Sequence, residues 1–206
     1  MTRLVLSERA EAATTELMQT LAAHERWKRT HLPKIGRLGL FRPVPAPENI
    51  HHLTLPHIAA VAEEFARATL LEASEPLVPR THKILELLWQ RAESQAEQWD
   101  GVANAWSQWH GITVKQEPRY KTLEGVIAAR NAIVHGLGRL TRKQTRSDGG
   151  ASVRDTLARV GITTAGTRLV VSDDSVRQCV QAARAFIEWL DNRSITGGLR
   201  PLRGGR

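Results

Sequence analysis

The sequence predicts a mostly α protein, a helical bundle carrying one small β-hairpin near its C-terminus. Three observations point there. Apolar residues recur every three to four positions in one stretch after another, the signature of amphipathic helices. The connections between those stretches are short, as a bundle requires. β-branched residues flank a glycine turn at one place, where Ile162–Thr164 and Arg168–Val171 stand on either side of Ala165-Gly166. With 206 residues and 41% hydrophobic content, the chain is long enough to bury a real core.

Taken in order, Ser7 is placed to cap a helix reaching about Lys28, with Ala13, Leu17, Leu21 and His24 at helical spacing and Pro33 at or beyond its end. Thr30–Arg42 is basic and glycine-containing, and the alternating prolines of Arg42–Glu48 suit a connector. Ile58, Val61, Ala62, Phe65 and Thr69 mark a second helix from Pro56 to about Ala73, closed by Pro76 and Pro79. A long helical region spans about Arg80 to His110, with Ile84, Leu85, Leu88, Ala92, Ala96, Trp99, Val102, Trp106 and Trp109 on one side and a kink expected at Asp100-Gly101. Large aromatics in such a stripe are read as core. After a loop, a helix runs from about Tyr120 to His135 and stops at Gly136 and Gly138. A basic run, Arg139–Arg146, leads through the turn Asp148-Gly149-Gly150 to a short helix over Ser152–Val160 and then the hairpin. Asp173 or Asp174 caps a last helix with Val176, Val180, Ala183, Ile187 and Leu190 inward. The expected division is an N-terminal helix and connector over residues 1–55, a main helical domain over 56–193, and a mobile basic tail over 194–206.

A formal net charge of +8 and a pI near 10.5 favour a polyanionic partner, nucleic acid first and an anionic membrane second. No apolar run approaches the roughly 18 residues of a membrane helix, and Met1–Glu8 lacks a secretory pattern, so the expectation is a cytoplasmic protein away from the membrane. Cys179 is the single cysteine, which excludes an internal disulfide and marks a small core residue. His51, His52 and His57 match no ligand spacing, and Gly36 and Gly39 lack the context of a phosphate loop. Neither a metal nor a cofactor is expected.

The chemistry-bearing segment is Arg130-Asn131-Ala132-Ile133-Val134-His135-Gly136. At roughly 100° per residue, Leu123, Val126, Ile127, Ile133, Val134 and Leu137 form an apolar stripe with Arg130 at its centre, while Asn131 and His135 share an adjacent face with Glu124 behind them. A guanidinium in such a seam calls for an anion or an acidic partner. Arginine offers a planar donor fork that matches phosphate, and histidine moves protons near neutrality. Roughly 140° separates Arg130 from His135 on one helix, so a second copy across a two-fold axis is expected to complete the site. Plainer roles stand beside these: a structural Arg130 paired with Glu64 or Glu86, a His135 bonded to a helix-end carbonyl, and an Asn131 bonded to a neighbouring helix.

The string Arg130-Asn131-x-x-x-His135 followed by Gly-Leu-Gly-Arg-Leu-Thr-Arg-Lys-Gln144 resembles the HEPN superfamily of helical RNA-cleaving domains, closest to the RiboL-PSP-HEPN branch. The likeness covers about Arg80 to Asp191 and includes Trp109-His-Gly-Ile112. It implies a HEPN-like bundle that dimerises into a composite active site and cleaves RNA without a metal. The ribose 2′-hydroxyl would attack the adjacent phosphorus, leaving a 2′,3′-cyclic phosphate and a 5′-hydroxyl. It further implies His135 as general acid or base, Arg130 as stabiliser of phosphate charge and Asn131 as an orienting group. Arg139, Arg142 and Lys143 would hold neighbouring phosphates, by charge and proximity. The likeness also implies a toxin or antiviral defence effector held by an inhibitor or sensor protein. Some family toxins carry a modifiable tyrosine two positions after the histidine, where this chain has Leu137. The alternatives are a non-catalytic adaptor that binds RNA or protein, and a DNA-binding regulator, for which no helix-turn-helix is visible.

Overall fold

Ser7 begins the first helix where its hydroxyl accepts the Ala10 N–H at 3.2 Å, and its own N–H and O–H both donate to the buried Asp191 carboxylate near the far end of the chain. In the computed structural model, residues 5–35, 47–77, 83–146 and 148–199 are described. They form α1 (Glu8–Ile35), α2 (Pro47–Ser74), a single 3₁₀ turn, α3 (Lys83–Gln95), α4 (Trp99–His110), a second 3₁₀ turn, α5 (Pro118–Gly136), α6 (Arg142–Thr145), α7 (Ala151–Ala158), the hairpin β1 (Thr163–Ala165) and β2 (Arg168–Val170), and α8 (Asp173–Thr196). The protein is mostly α with one hairpin, as the periodicity predicts.

Helix α2 is the hub, packing on α1, α4, α5 and α8, while α8 also meets α1 and α5. Leu17, Leu55, Ile58, Leu70, Leu123, Phe186, Ile187 and Leu190 fill the space between them. Each such side chain contributes roughly 1.5–3 kcal/mol on burial. The tryptophans at 99 and 106 are core. Trp106 is fully buried and donates its indole N–H to the Ala66 carbonyl at 3.2 Å, while Trp99 meets Tyr120 and Phe186 edge-on. Burial pushes the Cys179 thiol up to about 12, so it is an inert core group.

Several boundaries differ from the sequence expectation. Helix α1 runs on through Pro33 to Ile35, and α2 begins at Pro47, so both residue 55 and the expected start at Pro56 fall inside α2. Proline is tolerated at a helix's first position, where its missing N–H costs nothing. Most of the proline connector and the glycines at 36 and 39 lie outside the described residues, as do residues 200–206 of the tail. Helix α8 continues past residue 193 to Thr196, and Ser194 is buried. The long region over Arg80–His110 is two helices broken at Ala96–Gln98, with Gly101 inside α4 rather than at a kink. A Cβ at Gly101 would lie 1.8 Å from the Gln95 carbonyl oxygen, so glycine is what lets α4 start against the end of α3. The break takes the apolar stripe of α3 off the core: no α3 residue is buried, and Ile84, Leu87 and Leu88 are exposed. Ser172, in a capping box with Ser175, caps α8, and Asp173 and Asp174 occupy the first turn, where the helix dipole favours acids. The hairpin pairs Thr163 with Val170 and Thr164 with Leu169. No described helix is long and apolar enough to cross a membrane.

Candidate functional site

Pro118 opens α5, and Glu117 accepts the Arg119 N–H as its cap. The buried face of this helix is Leu123, Gly125, Val126, Ala129, Ala132 and Ile133. The expected stripe centred on Arg130 is therefore corrected: Ala129 and Ala132 sit on the seam, and Val134 and Leu137 are exposed. The reason is steric. Small residues let α7 approach, and a Cβ at Gly125 would lie 2.7 Å from the Thr156 carbonyl oxygen and 2.9 Å from Val160. The seam follows the residues that permit backbone proximity rather than the largest apolar ones.

Arg130 is half-buried at the edge of that seam, where its Nη1 donates to Asn131 Oδ1 at 2.9 Å. Its acidic neighbour is Glu63 on α2. Burial raises the Glu63 carboxyl above its ordinary range, while the Arg130 charge and the Trp99 backbone N–H oppose that rise. The expected partners lie elsewhere, Glu64 beside Arg67 at 3.8 Å and Glu86 beside Lys83 at 3.1 Å. No contact within ion-pair distance joins Arg130 to an acid among the described residues. Asn131 engages Arg130 and not His135.

His135 lies in the last turn of α5, exposed, and makes no hydrogen bond or ion pair among the described residues. The helix ends on Leu137, whose φ of 51° is the one left-handed non-glycine conformation among the described residues. Leu137 is 89% exposed. Gly138 follows at φ 81°, and there a Cβ would meet the His52 ring at 2.5 Å. The expected stop at Gly136 and Gly138 therefore shifts to Leu137, with Gly136 still helical.

Beyond the cap, the chain adds itself to the hairpin. Leu169 N–H donates to the Gly138 carbonyl at 2.9 Å, Leu140 N–H donates to Thr167 at 2.7 Å, and Arg139 bridges antiparallel to Arg168. That bridge sets the two arginines opposite each other across the strand pair. Sequence reasoning missed Arg168, because only the strand pairing brings it to Arg139. Thr141 and Gln144 then form a capping box that starts α6, and Gln144 Nε2 donates to the Ala128 carbonyl at 2.9 Å. This clasp fixes Arg142 and Lys143, both exposed, onto the helix that carries His135. Arg139, Arg142 and Lys143 meet no acid among the described residues. The reach from Gly125 to Ser147 holds Arg130, Arg139, Arg142, Lys143, Arg146 and His135, without a single Asp or Glu.

A cavity of about 210 Å³ lies beside this end of α5, lined by His51, His52, Ala165 and the stretch Arg168–Val171. None of Arg130, Asn131 and His135 lines it. The three histidines of the α2 start diverge: His52 packs on Gly138, His57 bonds Glu16 at 2.9 Å, and His51 bonds Asp173 at 3.1 Å.

Comparison of the chain with protein-family models, with curated proteins and with solved structures finds no match.

Proposed function

We propose that the protein is a metal-independent endoribonuclease of HEPN type, working as a homodimer that brings two copies of Arg130, Asn131 and His135 to one cleft. The observation that carries this reading is the acid-free, cation-rich reach from Gly125 to Ser147, in which Arg139, Arg142 and Lys143 are exposed beside an exposed, unengaged His135. Such a surface tracks a phosphate backbone, and an imidazole with both nitrogens available exchanges a proton with a ribose hydroxyl. The exposed Val134 and Leu137, flanking His135 in sequence, supply the apolar contact that a second copy would cover. In the cleft, His135 takes the 2′-hydroxyl proton or supplies one to the leaving 5′-oxygen. The Arg130 fork, turned by Asn131, meets the charge that develops on the phosphate oxygens.

The resemblance of the Arg130–Gln144 string supports a role as a toxin or antiviral effector in the cytoplasm, restrained by an inhibitor or sensor protein. A second reading has its own observation. Arg130 held by Asn131 in the field of Glu63 is also what a structural arginine looks like, and it favours a non-catalytic RNA- or protein-binding adaptor.

The deciding experiment incubates the purified chain with mixed RNA and no added divalent cation, then identifies the ends. Cyclic phosphate and 5′-hydroxyl ends that disappear in a folded, dimeric His135→Ala variant are expected. RNA bound but uncut at every protein concentration establishes the adaptor. Arg130→Lys separates charge from geometry, since it keeps the cation and loses the fork. Full activity in that variant removes the guanidinium from the mechanism.

A further inference from the structure

Three helices bring together residues far apart in sequence. His24 of α1, His51 of α2 and Asp173 of α8 each present one ligand-type atom, all within 4.8 Å of one another. His24 Nε2 and His51 Nε2 lie 3.2 and 3.1 Å from the same oxygen, Asp173 Oδ1. The His24 side chain is 1% exposed and the His51 side chain 10%, whereas Asp173 is 32% exposed and opens the cluster to solvent. Lys28 holds the other carboxylate oxygen, Oδ2, and so turns Oδ1 toward the two rings.

Proton accounting bears on how the three groups meet. Thr54 donates its one hydroxyl proton to the Ile50 carbonyl at 2.8 Å. Its oxygen therefore accepts from His24 Nδ1, 3.1 Å away. In that Nδ1–H tautomer the lone pair of His24 Nε2 is aimed at a carboxylate oxygen, whereas in the other tautomer Nε2–H donates to Asp173. Two acceptors at 3.2 Å repel unless a cation lies between them. A second proton on His24 is one such cation, and a metal ion held by all three side chains is another.

We propose that His24, His51 and Asp173 bind one divalent first-row transition ion, with zinc the best fit. Two imidazole nitrogens and a carboxylate oxygen are a zinc donor set, and a fourth position open to solvent completes it. Zinc–nitrogen and zinc–oxygen bonds of roughly 2.0–2.2 Å set ligand-to-ligand edges near about 3.3 Å in a tetrahedron. The two nitrogen-to-oxygen edges already lie close to that value. The outer contacts also match: metal-bound histidines donate their second ring nitrogen to an oxygen, as His24 does to Thr54, and ligating carboxylates are held from behind, as Asp173 is by Lys28. The ion clamps α1, α2 and α8 together. It takes no part in RNA cleavage, and the proposal stands whether or not the chain cuts RNA.

The test uses the full chain, stripped with chelator and titrated with Zn²⁺ and with Co²⁺. One ion per chain is expected, with the intense visible absorption of four-coordinate Co²⁺ and a raised thermal midpoint that Mg²⁺ does not reproduce. His51→Gln and Asp173→Asn should each lose at least about tenfold in affinity, and Thr54→Val about 10- to 100-fold through the outer contact. His57→Gln, a surface histidine beside Glu16, should bind as the wild type does. Should a variant fail to fold, the wild-type stoichiometry and the Co²⁺ spectrum still decide the matter. Less than about a tenth of an equivalent in the wild type, or unchanged affinity in a folded His51→Gln variant, overturns the proposal in favour of a cluster held by protons alone.

Discussion

The end of α5 and the junction of α1, α2 and α8 are built from the same residue types, and they differ in everything that controls chemistry. At the end of α5, His135 is exposed and Arg139, Arg142 and Lys143 meet no acid among the described residues. At the junction, His24 and His51 are buried and converge with Lys28 on a single carboxylate. Unpaired cations at a surface are poised for an external anion, whereas two buried histidines gathered on one carboxylate tie three helices to a single point. Histidine has no fixed meaning in this chain. Its neighbours assign it.

That contrast is open to direct attack. The largest effect expected is on activity: His135→Ala should reduce RNA cleavage by about 10²- to 10⁴-fold, with an unfolding free energy within about 0.5 kcal/mol of wild type. Equal loss of stability and activity would erase the distinction between the two regions. Asp173→Ala should do the reverse, costing chelator-treated protein about 2 kcal/mol by removing the carboxylate that Lys28 and His51 hold. Urea denaturation measures that, and the ends of cut RNA should not change. Next, Arg139→Ala, Arg142→Ala and Lys143→Ala should each lower the slope of log affinity for single-stranded RNA against log salt by about 0.7, without shifting the unfolding midpoint. A constant slope would show that these cations do not touch phosphate.

The smallest effect concerns pH. Burial lowers the His110 pKa below its ordinary 6.5, and its Nε2 sits 2.7 Å from the Ser74 hydroxyl. The folded state thus disfavours the protonated ring, while the unfolded chain binds that proton near pH 6.5. Stability is intact above that pH and is lost as pH falls from there toward the lower folded value. The urea midpoint should drop between pH 7 and pH 5. A His110→Gln variant should drop less. Parallel curves for the two proteins would acquit His110.

What the sequence disclosed follows from distance along the chain. Val176, Val180, Ala183, Ile187 and Leu190 repeat within one helix, so their common burial was legible, as was the hairpin around Gly166. Arg130, Asn131 and His135 are visible for the same reason, since one helix carries them all. The α5 seam was not legible, because it follows Gly125, Ala129 and Ala132, and small residues carry little weight in a hydrophobic pattern. The break at Ala96–Gln98 was hidden too, because the apolar spacing runs straight across it and Gly101 drew attention to the wrong turn. His24 and Asp173 stand 149 residues apart, and no local spacing foretells that they touch.

Gly125 adds something practical for anyone looking for kin of this chain. A six-residue Arg-Asn-x-x-x-His string arises by accident in many proteins, but a methyl group five positions ahead of the arginine would strike the backbone of α7 at Thr156. Gly-x-x-x-x-Arg-Asn-x-x-x-His is therefore a stricter fingerprint. Homologues that keep its second half while enlarging the glycine should have shifted or dropped the short helix that leans there.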